Sequence, residues 1–97
     1  MSEEKIFLEQ YIYFELTNLN TGFDVNSIKY FSENDFEIVL NRLKKHGIFV
    51  LGIEPWLDGE FYDVLSYEDY EVEPVNFEWI HKAFDEFKSL KLNLQYS

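Results

Sequence analysis

The chain contains no cysteine, and this absence excludes disulfide bonds, thiolate zinc sites and a cysteine nucleophile. No apolar run approaches the roughly 20 residues that a membrane-spanning helix needs. The amino-terminal residues lack the basic start and apolar run of a secretory signal peptide. Together these absences favour a cytoplasmic protein with no membrane association.

Positive charge is also scarce, because 8 Lys and Arg residues stand against 19 Asp and Glu residues, a formal net charge of -11. No Lys or Arg occurs between Lys45 and Lys82. Phosphate contacts need cationic side chains, so this balance argues against nucleic-acid binding. It disfavours an anionic membrane surface for the same reason. We expect instead a basic protein partner, with fast and salt-sensitive association.

Aromatic side chains are abundant and make up 20% of the 97 residues. Disordered acidic chains lack aromatic residues at this level, so we expect a folded core. The length suits one domain and is too short for two, and we expect residues 1–97 to form a single domain.

The clearest local signal predicts a helix over residues 33–46. Ser32 followed by Asp35 predicts a capping box at its start, and Phe31 with Phe36 predicts a hydrophobic staple. Cationic side chains crowd the last turn, where they suit the negative end of the helix dipole. Apolar residues recur at i, i+3, i+4 and i+7, which places them on one face: Phe36, Val39, Leu40 and Leu43.

The same periodicity predicts a second helix over about residues 77–90, with Asn76 as its amino-terminal cap. Residues 3–17 are compatible with a helix capped by Ser2 or with an alternating strand. Their length and their Glu, Gln and Leu content favour the helix. Residues 18–26 contain Asn, Thr, Gly and Asp and predict a loop.

Short β-rich segments follow the helix over residues 33–46. Residues 48–53 are apolar on both faces and predict a central strand, which ends before Pro55 because proline cannot donate to a ladder. Asp58-Gly59 predicts a hairpin turn, and residues 60–66 alternate as an antiparallel second strand would. The periodic apolar positions assign six phenylalanines to the core: Phe36, Phe49, Phe61, Phe77, Phe84 and Phe87.

The predicted elements combine into an α+β fold. Residues 67–74 predict an acidic loop, and the alternation of residues 90–96 predicts a short carboxy-terminal strand. We therefore expect a single small domain in which two or three helices pack on a small, largely antiparallel β-sheet.

No catalytic motif is visible in the sequence. His46 and His81 lie in predicted helices without a partner nucleophile, and no serine belongs to a catalytic pattern, so we expect no enzymatic activity. Residues 68–73 are rich in carboxylates but lack the order of an EF-hand calcium loop, which favours a solvated loop over a weak calcium site. The sequence therefore predicts no metal and no cofactor.

Acidic and aromatic residues alternate over residues 54–73, which we call the acidic–aromatic segment. Its carboxylates can pair with Lys and Arg of a partner, and its Tyr and Trp side chains can bury large areas while their polar tips form hydrogen bonds. For Trp56, closure of the core is as well supported as partner binding. The candidate partner-binding residues are Glu54, Trp56, Asp58, Glu60, Tyr62, Asp63, Tyr67, Glu68, Asp69, Tyr70, Glu71 and Glu73.

Residues 36–63 resemble a family of bacterial immunity proteins. A helix ending in Lys-Lys-His-Gly runs into Ile-Phe-Val-Leu-Gly-Ile-Glu and then Trp-Leu-Asp-Gly-Glu-Phe. This arrangement is similar to that of the immunity protein against a tRNA-cleaving colicin and to small immunity proteins of polymorphic and contact-dependent toxin systems. The resemblance implies a non-enzymatic inhibitor that occludes the active site of a cognate cationic toxin domain, expected to be a ribonuclease. Carboxylates would take the place of RNA phosphates, and aromatic rings the place of bases.

Three other interpretations stay open at this level. A DNA mimic that blocks a DNA-binding protein would be equally acidic, although mimics of long duplexes spread their carboxylates and this chain bunches them. A small binding module for an unknown ligand is the second, and acidity that serves only solubility is the third. The sequence does not predict an oligomeric state.

Overall fold

A computed structural model describes residues 3–97 of the chain. The amino-terminal segment of this structure is helical. Helix α1 (Glu3–Phe7) continues into one π-helical turn, Leu8–Ile12, so the predicted helix is confirmed for the first part of residues 3–17. Its predicted cap, Ser2, lies outside the described residues. Arg42 binds the end of this helix: Nη1 donates to the main-chain oxygens of Ile12, the last helical residue, at 2.9 Å and of Phe14 just beyond it at 2.7 Å.

Helix α2 (Glu33–Lys45) confirms the prediction for residues 33–46 within one residue. The hydroxyl of Ser32 accepts a hydrogen bond from the Asp35 main-chain N–H at 3.2 Å, as an N-cap does. The carboxylate of Asp35 does not complete the predicted capping box. It accepts instead from the main-chain N–H of Thr17 at 3.4 Å, and this contact ties the amino-terminal segment to the start of α2.

Helix α3 (Glu78–Ser89) confirms the second predicted helix, and Asn76 accepts a hydrogen bond from the Glu78 main-chain N–H at 3.0 Å. Its buried face consists of Trp79, Ile80, Ala83, Phe84 and Phe87. The core of the domain lies between α2, α3 and the carboxy-terminal strand.

Tyr96 lies at the centre of that core and is fully buried. The ring of Phe36 stacks on Tyr96 at 5.2 Å, and the ring of Phe84 meets Tyr96 edge-on, also at 5.2 Å. Phe36 and Phe84 contact each other at 5.7 Å. One ring from each of α2, α3 and the carboxy-terminal strand therefore forms a closed triangle.

Five short strands form two small antiparallel sheets. In chain order they are β1 (Gly52–Ile53), β2 (Pro55–Leu57), β3 (Glu60–Phe61), β4 (Leu65–Ser66) and β5 (Gln95–Tyr96). One sheet pairs β1 with β4, and the other has the order β3-β2-β5. The α+β prediction is confirmed: the chain forms one small domain of three helices and small antiparallel sheets. Among residues 3–97, no helix has the length and apolar character to span a membrane.

The predicted central strand over residues 48–53 is wrong except at its end, because strand pairing begins only at Gly52. Phe49 and Leu51 are 52% and 62% exposed, so the segment is not covered on both faces. The predicted strand over residues 60–66 is divided as well. The main-chain N–H groups of residues 62 and 63 both point to the carbonyl of Pro55, at 3.1 and 3.4 Å, and this kink separates β3 from β4.

Strand β1 ends at Ile53, before Pro55, as predicted, and Pro55 itself begins β2. A first strand position tolerates proline because no ladder hydrogen bond needs its missing N–H. The acidic loop predicted over residues 67–74 also contains a 3-10 turn, Tyr67–Tyr70. Ser66 and Asp69 form a capping box at its start, with the Asp69 carboxylate accepting from the Ser66 main-chain N–H at 2.7 Å.

Two of the six phenylalanines assigned to the core are on the surface. Phe36, Phe84 and Phe87 are buried as predicted, and Phe77 is half-buried. Phe49 and Phe61 are 52% and 55% exposed, which corrects the prediction. The reason is geometric: strands of two or three residues present too small a face to cover every apolar side chain that alternation places there.

The predicted hairpin turn at Asp58-Gly59 is confirmed. Both residues have positive φ, 52° and 79°, as the two central positions of a type I′ turn require. The turn joins β2 to β3 with Trp56 opposite Phe61 and Leu57 opposite Glu60. Gly59 also lies against the side chain of Phe23, since a Cβ atom at this position would be 3.4 Å from the Phe23 Cβ.

We expect Gly59→Ala to lower the free energy of unfolding by about 1–2 kcal/mol, because a left-handed conformation costs that much for a residue with a Cβ atom. Asp58→Asn is the matched control and should stay within about 0.5 kcal/mol, because Asn-Gly is a preferred type I′ pair. Urea-induced unfolding measures both values. A Gly59→Ala variant as stable as the unmodified chain would contradict the turn conformation.

Four tyrosine hydroxyls have raised pKa values, and burial together with the Glu9 carboxylate raises the pKa of Tyr13. Burial raises the pKa of Tyr96 and of Tyr30 well above the ordinary value, and the Tyr30 hydroxyl also donates to Asp24 at 2.6 Å. Burial, with the Glu86 carboxylate nearby, raises the pKa of Tyr70 to about 12. Each hydroxyl therefore keeps its proton in the folded state at a pH where it would lose it in the unfolded chain.

These shifts predict alkaline destabilisation. Stability is fully present below pH ~10, the tyrosine pKa in the unfolded chain, and falls as pH rises towards the folded-state values. The slope reaches about 1.4 kcal/mol per pH unit for each tyrosine. Urea unfolding between pH 8 and 11.5 measures this slope. Tyr96→Phe removes one titrating hydroxyl and should reduce the slope by about 1.4 kcal/mol per pH unit. An unchanged slope in that variant would contradict the raised pKa of Tyr96.

Candidate functional site

The carboxylates of the acidic–aromatic segment are largely exposed and lack cationic partners. Glu54 is half-buried, and the others are exposed: Asp58, Glu60, Asp63, Glu68, Asp69, Glu71 and Glu73. The ion pairs described within residues 3–97 are formed by Lys29 and Lys88 with Glu9, Glu37 and Asp85, and no residue of the segment takes part. The folded chain therefore leaves this concentration of negative charge uncompensated.

Three of these carboxylates have local structural roles. Glu54 accepts from the Trp56 indole N–H at 3.0 Å, Asp63 accepts from the Val64 main-chain N–H at 2.7 Å, and Asp69 caps the 3-10 turn. The remaining five form no side-chain hydrogen bond with any other residue of the described range 3–97, and they are available to a partner: Asp58, Glu60, Glu68, Glu71 and Glu73.

Trp56 packs into an aromatic cluster with residues of the loop before α2. Its ring lies 5.5 Å from Phe23 and 5.4 Å from Tyr30, and the Phe61 ring meets it edge-on at 6.5 Å. The indole N–H is already bonded to Glu54. Trp56 and Glu54 thus hold the β2–β3 hairpin against the loop, which is the structural role that the sequence left open for Trp56.

The tyrosines of the segment divide into one exposed and two packed side chains. Tyr62 is 40% exposed. Tyr67 and Tyr70 are partly buried against the core, and the Tyr70 ring lies 6.1 Å from Trp79. Of the four aromatic candidates, Tyr62 therefore offers the largest free surface to a partner.

An exposed apolar set accompanies these acids, and of its members the sequence identifies Tyr62 alone as a candidate for partner binding. Its members are Phe49, Leu51, Phe61, Tyr62, Val64 and Val75, with exposures from 40% to 62%. The main-chain carbonyl of Leu51 accepts from Tyr67 N–H at 3.4 Å, and Val64 lies within 4 Å of a Cβ built at Gly52. These contacts place Leu51 beside the acidic–aromatic segment, to which Val64 itself belongs. The sequence contains a signal for the exposure of these side chains. Pro55 and Asp58-Gly59 divide the region into strands that are too short to bury them.

Apolar side chains surrounded by charged residues are typical of protein interaction surfaces. A buried interface centre is depleted of charge and rich in aromatic residues, whereas its rim is polar. Exposed Phe61, Tyr62 and Leu51 can supply the centre, and the five available carboxylates can supply the rim. No group of three or more His, Asp or Glu side chains is placed to hold a metal ion among residues 3–97. What the arrangement offers is recognition of a basic surface by charge and apolar contact.

No protein-family model matches the chain, and no curated protein and no solved structure shows a significant similarity to it.

Proposed function

We propose that this protein is a non-enzymatic inhibitor, an immunity protein that binds a basic toxin domain and covers its active site. The observation that carries the proposal is the pairing of unpartnered carboxylates with exposed apolar side chains over residues 49–75. A carboxylate cluster without cations repels itself, and a basic partner relieves that repulsion on binding. The apolar side chains add buried area, which slows dissociation.

A nuclease domain is the partner that suits this surface best. An enzyme that cleaves RNA needs a cationic cleft to hold phosphates, and that cleft attracts carboxylates equally well. Exposed Tyr62 and Phe61 can occupy the positions where bases stack on protein. The resemblance of residues 36–63 to immunity proteins supports the same conclusion, and action inside the cell is the location such an inhibitor requires.

The concentration of charge favours a compact cleft over a long duplex-binding surface. The available carboxylates lie within residues 58–73: two are on one hairpin, Glu68 is in the 3-10 turn, and Glu71 and Glu73 follow that turn. A mimic of duplex DNA would spread its charges along an extended face. Capture of a DNA-handling protein is accordingly an outcome that would overturn the toxin assignment.

The test is affinity capture on the immobilised chain from extracts of the source cells, with bound proteins identified by mass spectrometry. We expect a basic nuclease domain whose retention falls as salt is raised from 50 mM to 500 mM, because screening shortens the range of its attraction. Nuclease activity of the captured domain should be lost on addition of the free chain. Retention of active nuclease in the complex would contradict occlusion of the active site.

A further inference from the structure

An open groove lies beside the hairpin turn, at the edge of the acidic–aromatic segment. Its volume is about 530 Å³, and it is widely open to solvent, as a site for a side chain on a partner's surface would be. One wall is the loop before α2, the second is the β2–β3 turn, and the third is the start of β5. The side chains that the argument uses are Thr21, Phe23, Asp58, Asn93 and Gln95.

Each wall of the groove is held by contacts of its own. The loop before α2 is closed by Asn20, whose side-chain amide donates to the carbonyls of Val25 at 3.0 Å and Ile28 at 2.8 Å. Gly59 of the turn packs on Phe23, which in turn packs on Trp56. Gln95 pairs with Trp56 in the sheet. The groove is therefore formed before any partner arrives, which lowers the entropy cost of binding.

The lining of the groove suits a planar cation. The exposed carboxylate of Asp58 has no hydrogen-bond partner among residues 3–97, and Thr21 and Asn93 add uncharged acceptor oxygens. Phe23 adds an aromatic ring, on which a guanidinium group can stack. No Lys or Arg lines this groove. A carboxylate beside a ring and further acceptors matches the five fixed N–H donors of arginine better than the compact charge of lysine.

The chain cannot supply that arginine itself. Arg42 is its single arginine, and the guanidinium already donates to the carbonyls of Ile12 and Phe14. The same group lies 5.2 Å from the Phe14 ring centroid. In a second copy, Arg42 would have to release the carbonyls of Ile12 and Phe14 to fill the groove, which favours an arginine from a basic partner.

We propose that this groove receives an arginine side chain of the basic partner, with Asp58 as the counter-charge and Phe23 as the stacking face. The proposal rests on the proposed function for the source of the arginine. Binding of an arginine side chain depends on the residues of the groove, so it can be measured with a small arginine compound in the absence of the partner.

The probe is N-acetyl-arginine amide, titrated into the isotopically labelled chain at constant ionic strength and followed by NMR. The expected result is saturable shift changes at the main-chain amides of Asp58 and Gly59 and at the side-chain amides of Asn93 and Gln95. The corresponding citrulline compound, which has the same shape without the charge, should leave these signals in place. The corresponding lysine compound should bind several-fold more weakly than arginine, because it lacks the planar fork.

Asp58→Asn should weaken arginine binding about tenfold, the effect of losing one charge-assisted hydrogen bond. This substitution keeps the turn, since Asn-Gly favours type I′. Glu73→Gln removes the same charge outside the groove and should change the dissociation constant less than twofold. The groove assignment is overturned if citrulline or lysine binds as well as arginine, or if Glu73→Gln weakens binding as much as Asp58→Asn.

The two proposals fail separately. Arginine binding in the groove together with recovery of a DNA-handling protein would overturn the toxin assignment and leave the groove in place. A captured basic nuclease together with equal binding of arginine and citrulline would overturn the groove and leave the inhibitor function in place.

Discussion

Replacement of Phe84 by alanine lowers the free energy of unfolding by about 3–5 kcal/mol, whereas replacement of Phe49 lowers it by less than about 1 kcal/mol. The sequence places both residues in the core, but the structure buries only one of them. Phe84 is 3% exposed and forms the ring triangle with Phe36 and Tyr96. Its loss removes apolar burial and leaves a cavity between two helices and a strand.

Phe49 is 52% exposed, and the ring contact described for it is with Phe77 at 6.0 Å. Its truncation opens no cavity, so the cost is that of a surface change. Urea-induced unfolding followed by far-ultraviolet circular dichroism measures both variants. Small domains are stable by about 5–15 kcal/mol, so Phe84→Ala can leave too little folded protein to analyse. Phe84→Leu, with a smaller loss, then gives the value for this position. Equal losses at Phe84 and Phe49 would contradict the separation of core and surface.

The helices could be predicted from sequence because their signals are local. Ser32 caps α2 and Asn76 accepts from the first turn of α3, at the positions where short polar side chains precede an apolar periodicity. The main-chain hydrogen bonds of a helix need no information from distant residues, since each bond joins residues four positions apart. Residues 3–17 were compatible with helix and strand because their apolar residues fit both periodicities, and the Arg42 contact at the end of the helix comes from 30 residues further along the chain.

The strands were predicted poorly because their pairing is set by distant partners. The apolar run at residues 48–53 predicted a strand covered on both faces, yet residues 3–97 provide no further strand to cover Phe49 and Leu51. The break between β3 and β4 follows from the Pro55 carbonyl, which takes two N–H groups in succession. Alternation in the sequence carries no record of such a kink.

The charged part of the candidate site could be predicted, and its aromatic part could not. A run of acids without Lys or Arg remains unpaired in nearly any fold, because few cations are left to reach it. The placement of Trp56 depends on Phe23 and Tyr30, which belong to a loop that gave no core signal. Phe23 lies in the predicted loop over residues 18–26 and Tyr30 shortly after it, and loops seldom contribute to a core.

The second large effect concerns the acidic surface. Lysine at Glu60, Glu68 and Glu73 together should weaken binding of the captured basic protein by at least about a thousandfold. Each substitution removes a charge-assisted contact and adds a repulsive one, and about 1.4 kcal/mol per position corresponds to a tenfold loss. All three side chains are exposed and make no hydrogen bond with another residue of the described part of the chain. The fold should therefore persist, with an unchanged unfolding midpoint.

A matched control separates position from net charge. Lysine at Glu3, Glu4 and Glu15 makes the same chemical change at exposed positions in the amino-terminal segment. Each Glu→Lys substitution adds two charges, so either triple variant moves the formal net charge from -11 to -5. If attraction were general, both variants would lose affinity equally and both losses would vanish in high salt. We expect less than a tenfold loss for the amino-terminal variant, because its three positions lie outside the segment of residues 54–73, where the unpaired carboxylates are concentrated. Isothermal titration calorimetry at two salt concentrations measures the loss of affinity of both variants. Equal losses would show that the acidic residues act by long-range attraction and not through a defined binding site.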